Sequence, residues 1–171
     1  MAEAESAGVS ATSSPANPEI VKVLKSAALF RNFTDTGVQL VASIAQEKHI
    51  PGGTPLFVEN MIGEALYVVA DGMIRLAVRG PQGQELTLTV LGRGESLGEA
   101  ALLRAGPRLC SATAEVTSTV IEISRRDIAL LQRTKPQACL KLMMGVVDLI
   151  GERMRASERE FRQFLAWKTG G

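Results

Sequence analysis

The sequence predicts a mainly β domain, a small antiparallel barrel or jelly roll with helices packed at its ends. Three observations predict it. The apolar pattern has a period of two from His49 to Ile123, turn-forming dipeptides interrupt it at short intervals, and both flanks switch to helical spacing. Residues 1–17 are almost wholly Ala, Ser, Glu, Gly, Thr and Pro, too poor in apolar area to offset the entropy of ordering, and read as a disordered tail. Asn17-Pro18 supplies a cap followed by a proline at the first helical position, and Ile20, Val23, Leu24 and Ala27 recur at helical spacing behind it. A second helix is expected from Thr36 to Gln46, capped by Thr34 or Asp35, with Leu40, Val41 and Ile44 facing inward.

Strands are expected near 55–58, 65–70, 73–79, 84–91, 109–115 and 119–123. Pro51-Gly52-Gly53, Asp71-Gly72, Gly80-Pro81-Gln82-Gly83 and Gly92-Arg93-Gly94 are the turns between them. Two helices close the chain, Arg125–Arg133 and Pro136 to about Trp167, so that one domain spans 18–167 and includes a C-terminal helix over 136–167. No internal repeat of solenoid length is present.

A chain of 171 residues is long enough to bury a core and too short for a second folded domain of ordinary size. With 19 basic and 18 acidic residues the formal charge is +1, which lacks the electrostatic footprint of a nucleic-acid binder. No stretch of 18 apolar residues spans a bilayer, and the first 17 residues have neither the basic start nor the apolar centre of a signal peptide. A soluble, cytoplasmic protein is expected, with no membrane partner. Cys110 and Cys139 lack motif spacing and read as packed, reduced thiols.

The most informative run is Leu97-Gly98-Glu99-Ala100-Ala101-Leu102-Leu103-Arg104-Ala105-Gly106-Pro107-Arg108. A Gly-Glu pair opening a short apolar segment predicts one helical turn whose first N–H groups face an anion. Arg108 follows Pro107 at the entry to a strand, and a guanidinium grips two phosphate oxygens in a planar fork. An ionised Glu99 only accepts hydrogen bonds, so its partners are hydroxyl donors such as those of a ribose. Together these are the parts needed to hold a small anionic sugar phosphate.

At these residues the chain resembles the cyclic nucleotide-binding family, whose phosphate-binding cassette runs Phe-Gly-Glu-Leu-Ala-Leu, a short spacer, then Pro-Arg. Gly98, Glu99, Ala101, Leu102, Pro107 and Arg108 match in order and spacing. Upstream, Pro51-Gly52, Leu56-Phe57-Val58-Glu59, Leu66-Tyr67-Val68-Val69, Gly72 and Gly94-Glu95 are similar to the family's earlier strands and turns, so the resemblance covers roughly 25–160. It implies a cyclic nucleotide-binding β-barrel of jelly-roll type, a cupin-like double-stranded β-helix, with N-terminal helices and a long C-terminal helix. It implies no catalytic residue and no cofactor; the ligand would be cAMP or cGMP.

Carried over residue by residue, Arg108 neutralises the cyclic phosphate, Glu99 accepts from the ribose 2′-hydroxyl, and amides around Ala100, Ala101 and Leu109 complete the anion site that begins at Gly98. The family has a small or hydroxyl residue directly after the arginine; here Leu109, Cys110 and Ser111 follow. A threonine there favours guanine in cGMP-responsive relatives, so Leu109 points to cAMP, with Cys110 a small residue beside the pocket. By position alone, Leu88 and Thr89 on the preceding strand, and Arg153 and Met154 on the C-terminal helix, fall where relatives of the catabolite-activator type contact the base. Asn60 stands where a turn glycine is frequent, and asparagine tolerates positive φ.

Other chemistries fit poorly. His49 is the only histidine, whereas a metal-dependent cupin enzyme needs several on one ion; neither it nor Cys110 has the partners of a nucleophilic site, and two cysteines do not hold an iron–sulfur cluster. On the last helix Leu140, Met143, Val147, Ile150, Met154, Phe161 and Phe164 step alternately by three and four residues, broken only at Ser157. That seam predicts a parallel homodimer, with Arg153 and Glu158 attracting across it, against the plainer alternative of a helix lying on its own barrel. The expectation is a non-enzymatic sensor signalling through this helix to an unknown effector protein, with no winged helix-turn-helix after it. The rival expectations are a scaffold that keeps the barrel without binding nucleotide, and a DNA-binding regulator lacking its second domain.

Overall fold

A computed structural model of the chain describes residues 16–169. Helix α1 (Pro18–Ser26) begins where the sequence predicts, with Asn17 Oδ1 accepting from Glu19 N–H at 2.9 Å. Ile20, Val23, Leu24 and Ala27 are all buried. A 3-10 turn (Ala28–Phe30) leads to α2 (Asp35–Ala42), capped by the Thr34 hydroxyl on Gly37 N–H.

The strands are β1 (Gln46–Ile50), β2 (Pro55–Phe57), β3 (Ile62–Gly63), β4 (Ala65–Asp71), β5 (Ile74–Arg79), β6 (Glu85–Leu91) and β7 (Ser96–Leu97). After the short α3 (Ala100–Leu103) come β8 (Gly106–Pro107), β9 (Ser111–Ala114) and β10 (Ser118–Ser124), then α4 (Arg125–Thr134), α5 (Pro136–Ala156) and α6 (Glu158–Thr169). One antiparallel sheet has the order β1-β10-β4-β7, a second β2-β9-β5-β6, and β3 pairs with β8. The fold is therefore mainly β with flanking helices and a long C-terminal helical arm.

Strand β4 explains how two cores form. Leu66, Val68 and Ala70 turn outward to pack with Ile121 and Ile123 against the helices, while Ala65, Tyr67 and Val69 turn inward to join Phe57, Ile74, Leu91, Leu97 and Val120 between the sheets. The alternation of the pleat thus serves both faces, which is why the strand reads as one unbroken apolar run.

Two expectations require correction. The second helix ends at Ala42, not Gln46, because residues 46–50 pair with 118–122 of β10; their outward side chains are polar, and Lys48 Nζ meets Glu122 Oε2 at 2.7 Å. The C-terminal helix is two segments: Ser157 has φ −85° and ψ 0°, and its hydroxyl bonds back to Arg153 O at 2.9 Å, the side-chain bond that bends helices. Backbone bonding still runs through, from Ser157 N–H to Arg153 O and from Phe161 N–H to Ser157 O. The expected tail lies, up to residue 15, outside the described residues, and so do the side chains of Phe164 and Trp167.

Candidate functional site

Pro107 brings Arg108 to the wall between the two sheets, and two backbone bonds fix it there: Arg108 N–H to Met61 O at 2.7 Å and Asn60 N–H to Arg108 O at 2.9 Å. Asn60 has φ +68°, the left-handed geometry expected of it. The Arg108 residue is only 8% exposed. Its Nη2 donates to Ala65 O at 2.9 Å and Nη1 to Gly98 O at 3.4 Å, while Nε is buried without a partner. No carboxylate of the described residues forms an ion pair with it.

Two glycines make room for this guanidinium. A Cβ at Gly63 would stand 2.6 Å from Arg108 Nε, and one at Gly98 would stand 2.4 Å from Nη1; Gly98 also has φ +80°. Beneath the guanidinium, Cζ lies 4.1 Å from the centre of the Phe57 ring and 5.7 Å from that of Tyr67. Burial pulls the Arg108 pKa below its ordinary value, opposed mainly by Tyr67 and Cys110. Burial in turn pushes the Tyr67 phenol up to about 12, with Glu122 adding to the shift.

Glu99 is 6% exposed and sits in α-helical geometry just before α3. Its Oε1 accepts from Ser96 Oγ at 2.8 Å and from Arg153 Nη1 at 2.8 Å, and Arg153 Nη2 donates to Ser96 O at 2.7 Å. Oε2 carries no hydrogen bond among the described residues, so one acceptor of a buried carboxylate remains open.

A cavity of about 570 Å³ joins these groups, within the size range of small-molecule sites. Gly98, Glu99, Ala100, Ala101, Arg108, Leu109, Cys110 and Arg153 all line it. Leu88, Thr89 and Met154 do not. Leu88 falls at the irregularity where β6 slips against β5, between the pairs Leu76–Thr89 and Ala77–Thr87, and Met154 is 71% exposed on α5. Ala101 N–H is also committed, donating to Gly98 O at 3.1 Å, whereas Ala100 N–H and Leu109 N–H donate to nothing among the described residues. Leu109 is 81% exposed at the rim, and burial raises the Cys110 thiol pKa, which Arg108 opposes.

Sequence reasoning missed Ser96, Phe57 and Gly63 as parts of this site. Ser96 sits three residues before Glu99, the reach of a side-chain bond across a turn, and that spacing was the available signal. Nothing local marks Phe57 or Gly63, because strand pairing brings each beside Arg108. Within one chain Arg153 is held by Glu99 and Ser96, and Glu158 accepts from Arg162 on its own helix at 2.6 Å, so both members of the expected interhelical pair already have intrachain partners. Among the described residues no cluster of three or more His, Cys, Asp or Glu stands ready for a metal, and no helix is long and apolar enough to cross a membrane.

In this fold a buried cation and a buried carboxylate thus face one cavity. The chain belongs to the cyclic nucleotide-binding domain family, whose model matches residues 47–134. It is 35% identical over 137 residues to a protein named cyclic AMP receptor protein from Thermus thermophilus, covering 80% of this chain and 62% of the relative. The chain thus spans about three-fifths of that relative's length. Among solved structures it is similar to the Thermus thermophilus catabolite activator protein, with TM-score 0.72 and 33% identity over 81% of this chain and 63% of that one. It is also similar to the regulatory domain of Toxoplasma gondii PKA in complex with cAMP, with TM-score 0.60 and 28% identity over 66% of this chain and 42% of that one.

Proposed function

We propose that this chain is a non-enzymatic, cytoplasmic sensor that binds a cyclic purine mononucleotide, cAMP ahead of cGMP, and passes the signal through α5 and α6 to a partner protein. The observation that carries the reading is Arg108: an arginine 8% exposed, without a carboxylate partner, in the same cavity as the acceptor-only Glu99. A buried cation without a counter-ion is costly, and an arriving phosphate supplies the missing charge. Glu99 Oε2 accepts from the ribose 2′-hydroxyl, and the Ala100 and Leu109 amides serve the phosphate oxygens. Gly98 and Cys110 shape the wall around them.

The family membership and the cAMP-bound relative support a cyclic nucleotide as ligand. Leu109 brings no hydroxyl to the rim, which favours adenine over guanine by the family pattern. Glu99 is tied to Arg153 of α5, so a ligand hydroxyl that reaches Glu99 also bears on the helix. Such a ligand shifts the helix only by its differential affinity for the two arrangements. Leu140, Val147, Met154 and Phe161 are exposed at seven-residue intervals along α5 and α6, which supports a homodimer through this arm.

Calorimetric titration with cAMP and cGMP tests the reading. Wild type binds cAMP more tightly than cGMP, and Arg108→Ala weakens binding by about 2–5 kcal/mol, since the phosphate loses its desolvated charge partner. A wild type that gives neither heat nor thermal shift with either nucleotide at millimolar concentration overturns it and leaves a nucleotide-independent scaffold.

A further inference from the structure

We propose that Phe57 is a positioning residue for the anion site, its ring face holding the Arg108 guanidinium in the cavity wall without neutralising it. The naming of the ligand rests on the cyclic nucleotide reading above; the pairing itself rests on geometry. Cζ of Arg108 stands 4.1 Å from the Phe57 ring centre, Phe57 is 9% exposed and lines the cavity, and Tyr67 stacks behind it with ring centres 6.0 Å apart at 30°.

A buried guanidinium must find compensating potential somewhere. The two carbonyl oxygens, of Ala65 and Gly98, engage Nη2 and Nη1 and leave Nε without a partner. A carboxylate in that place would stabilise the cation further but would compete with an incoming phosphate for the same charge. The face of an aromatic ring attracts the cation through its quadrupole and leaves the positive charge uncancelled for a ligand. Burial keeps the Tyr67 hydroxyl protonated, its pKa pushed up to about 12, so no phenolate competes either.

The experiment replaces Phe57 by mono-, di- and trifluorophenylalanine, which keep the ring's shape while draining its face of negative charge. Titration with cAMP should give an affinity that falls stepwise, on the order of tenfold across the series, while the thermal unfolding midpoint stays within error of wild type. A role in packing alone predicts a flat affinity series, and that result overturns the proposal. NMR of the Arg108 side chain decides the pairing separately: its protons should be shifted upfield by the Phe57 ring and return towards ordinary values in Phe57→Leu. If wild type binds neither cAMP nor cGMP, the nucleotide reading falls while the Arg108 resonances still judge the pairing; unshifted resonances would sink it whatever the ligand.

Discussion

Arg153 Nη1 stands 2.8 Å from Glu99 Oε1, so α5 is tied to the cassette by a pair 54 residues apart in sequence. The Glu99 side chain is 8% exposed and the Arg153 side chain 44%, so water screens one end of the pair. Arg153→Gln should therefore cost only about 1 kcal/mol of stability, measured by urea unfolding. Amide exchange should quicken in the last turns of α5, because Ser96 O loses its bond to Arg153 as well. No change in either measurement would mean the tie does not restrain the helix.

What was legible in the sequence was what is local. Asn17 and Thr34 announce their helices because a cap is a contact within three residues, and Ile20, Val23 and Leu24 carry their own period. Strand β1 was not legible: residues 46–49 are polar and face water, and only the pairing with β10 makes the segment a strand. The cassette could be read through to Arg108 because its parts lie within twelve residues. Its supports Phe57 and Gly63 could not, since they reach it by tertiary packing, and Arg153 was placed near it by the resemblance alone. A heptad register is likewise blind to the Glu99 carboxylate on another element that engages Arg153.

Gly63 offers a way to move the guanidinium without unfolding the barrel. In Gly63→Ala the atoms nearest the new methyl all belong to the Arg108 side chain, Nε at 2.6 Å and Cζ at 2.8 Å, and a side chain can yield where backbone cannot. Stability should change by less than about 1 kcal/mol, while cAMP affinity falls by roughly tenfold or more, as expected for a displaced charge-assisted contact. Calorimetry beside thermal unfolding separates the two effects; unchanged affinity would show that Arg108 does not hold the phosphate from this position.

Tyr67 is the only tyrosine, so phenolate absorbance reports on it alone. Its native pKa is pushed up to about 12 by burial, against about 10 in an unfolded chain. Below pH ~10 both states keep the proton and stability is undiminished. Between there and pH ~12 the unfolded chain releases a proton that the native state retains, so stability falls with rising pH, by about 2–3 kcal/mol at the end of the window. Tyr67→Phe should lose this part of the alkaline decline. A native titration midpoint near 10 would mean the phenol is not held in a dry site.

The exposed apolar line on the C-terminal arm predicts a homodimer, and the structure alters how to test it. Leu140, Val147, Met154 and Phe161 are 58–71% exposed, whereas Met143 and Ile150 pack partly on the chain's own core, so a charge at Ile150 would damage the barrel together with any interface. Val147→Glu is the cleaner change. It places one carboxylate from each chain at the seam, and burying two unpaired like charges costs several kcal/mol. The variant should sediment as a monomer with the wild-type unfolding midpoint of its barrel. Because Arg153 and Glu158 are both engaged within the chain, association should rest on apolar area and depend little on salt. Sedimentation equilibrium at low and high salt measures both. A wild type that stays monomeric at tens of micromolar, with and without nucleotide, would show that this face does not join two copies.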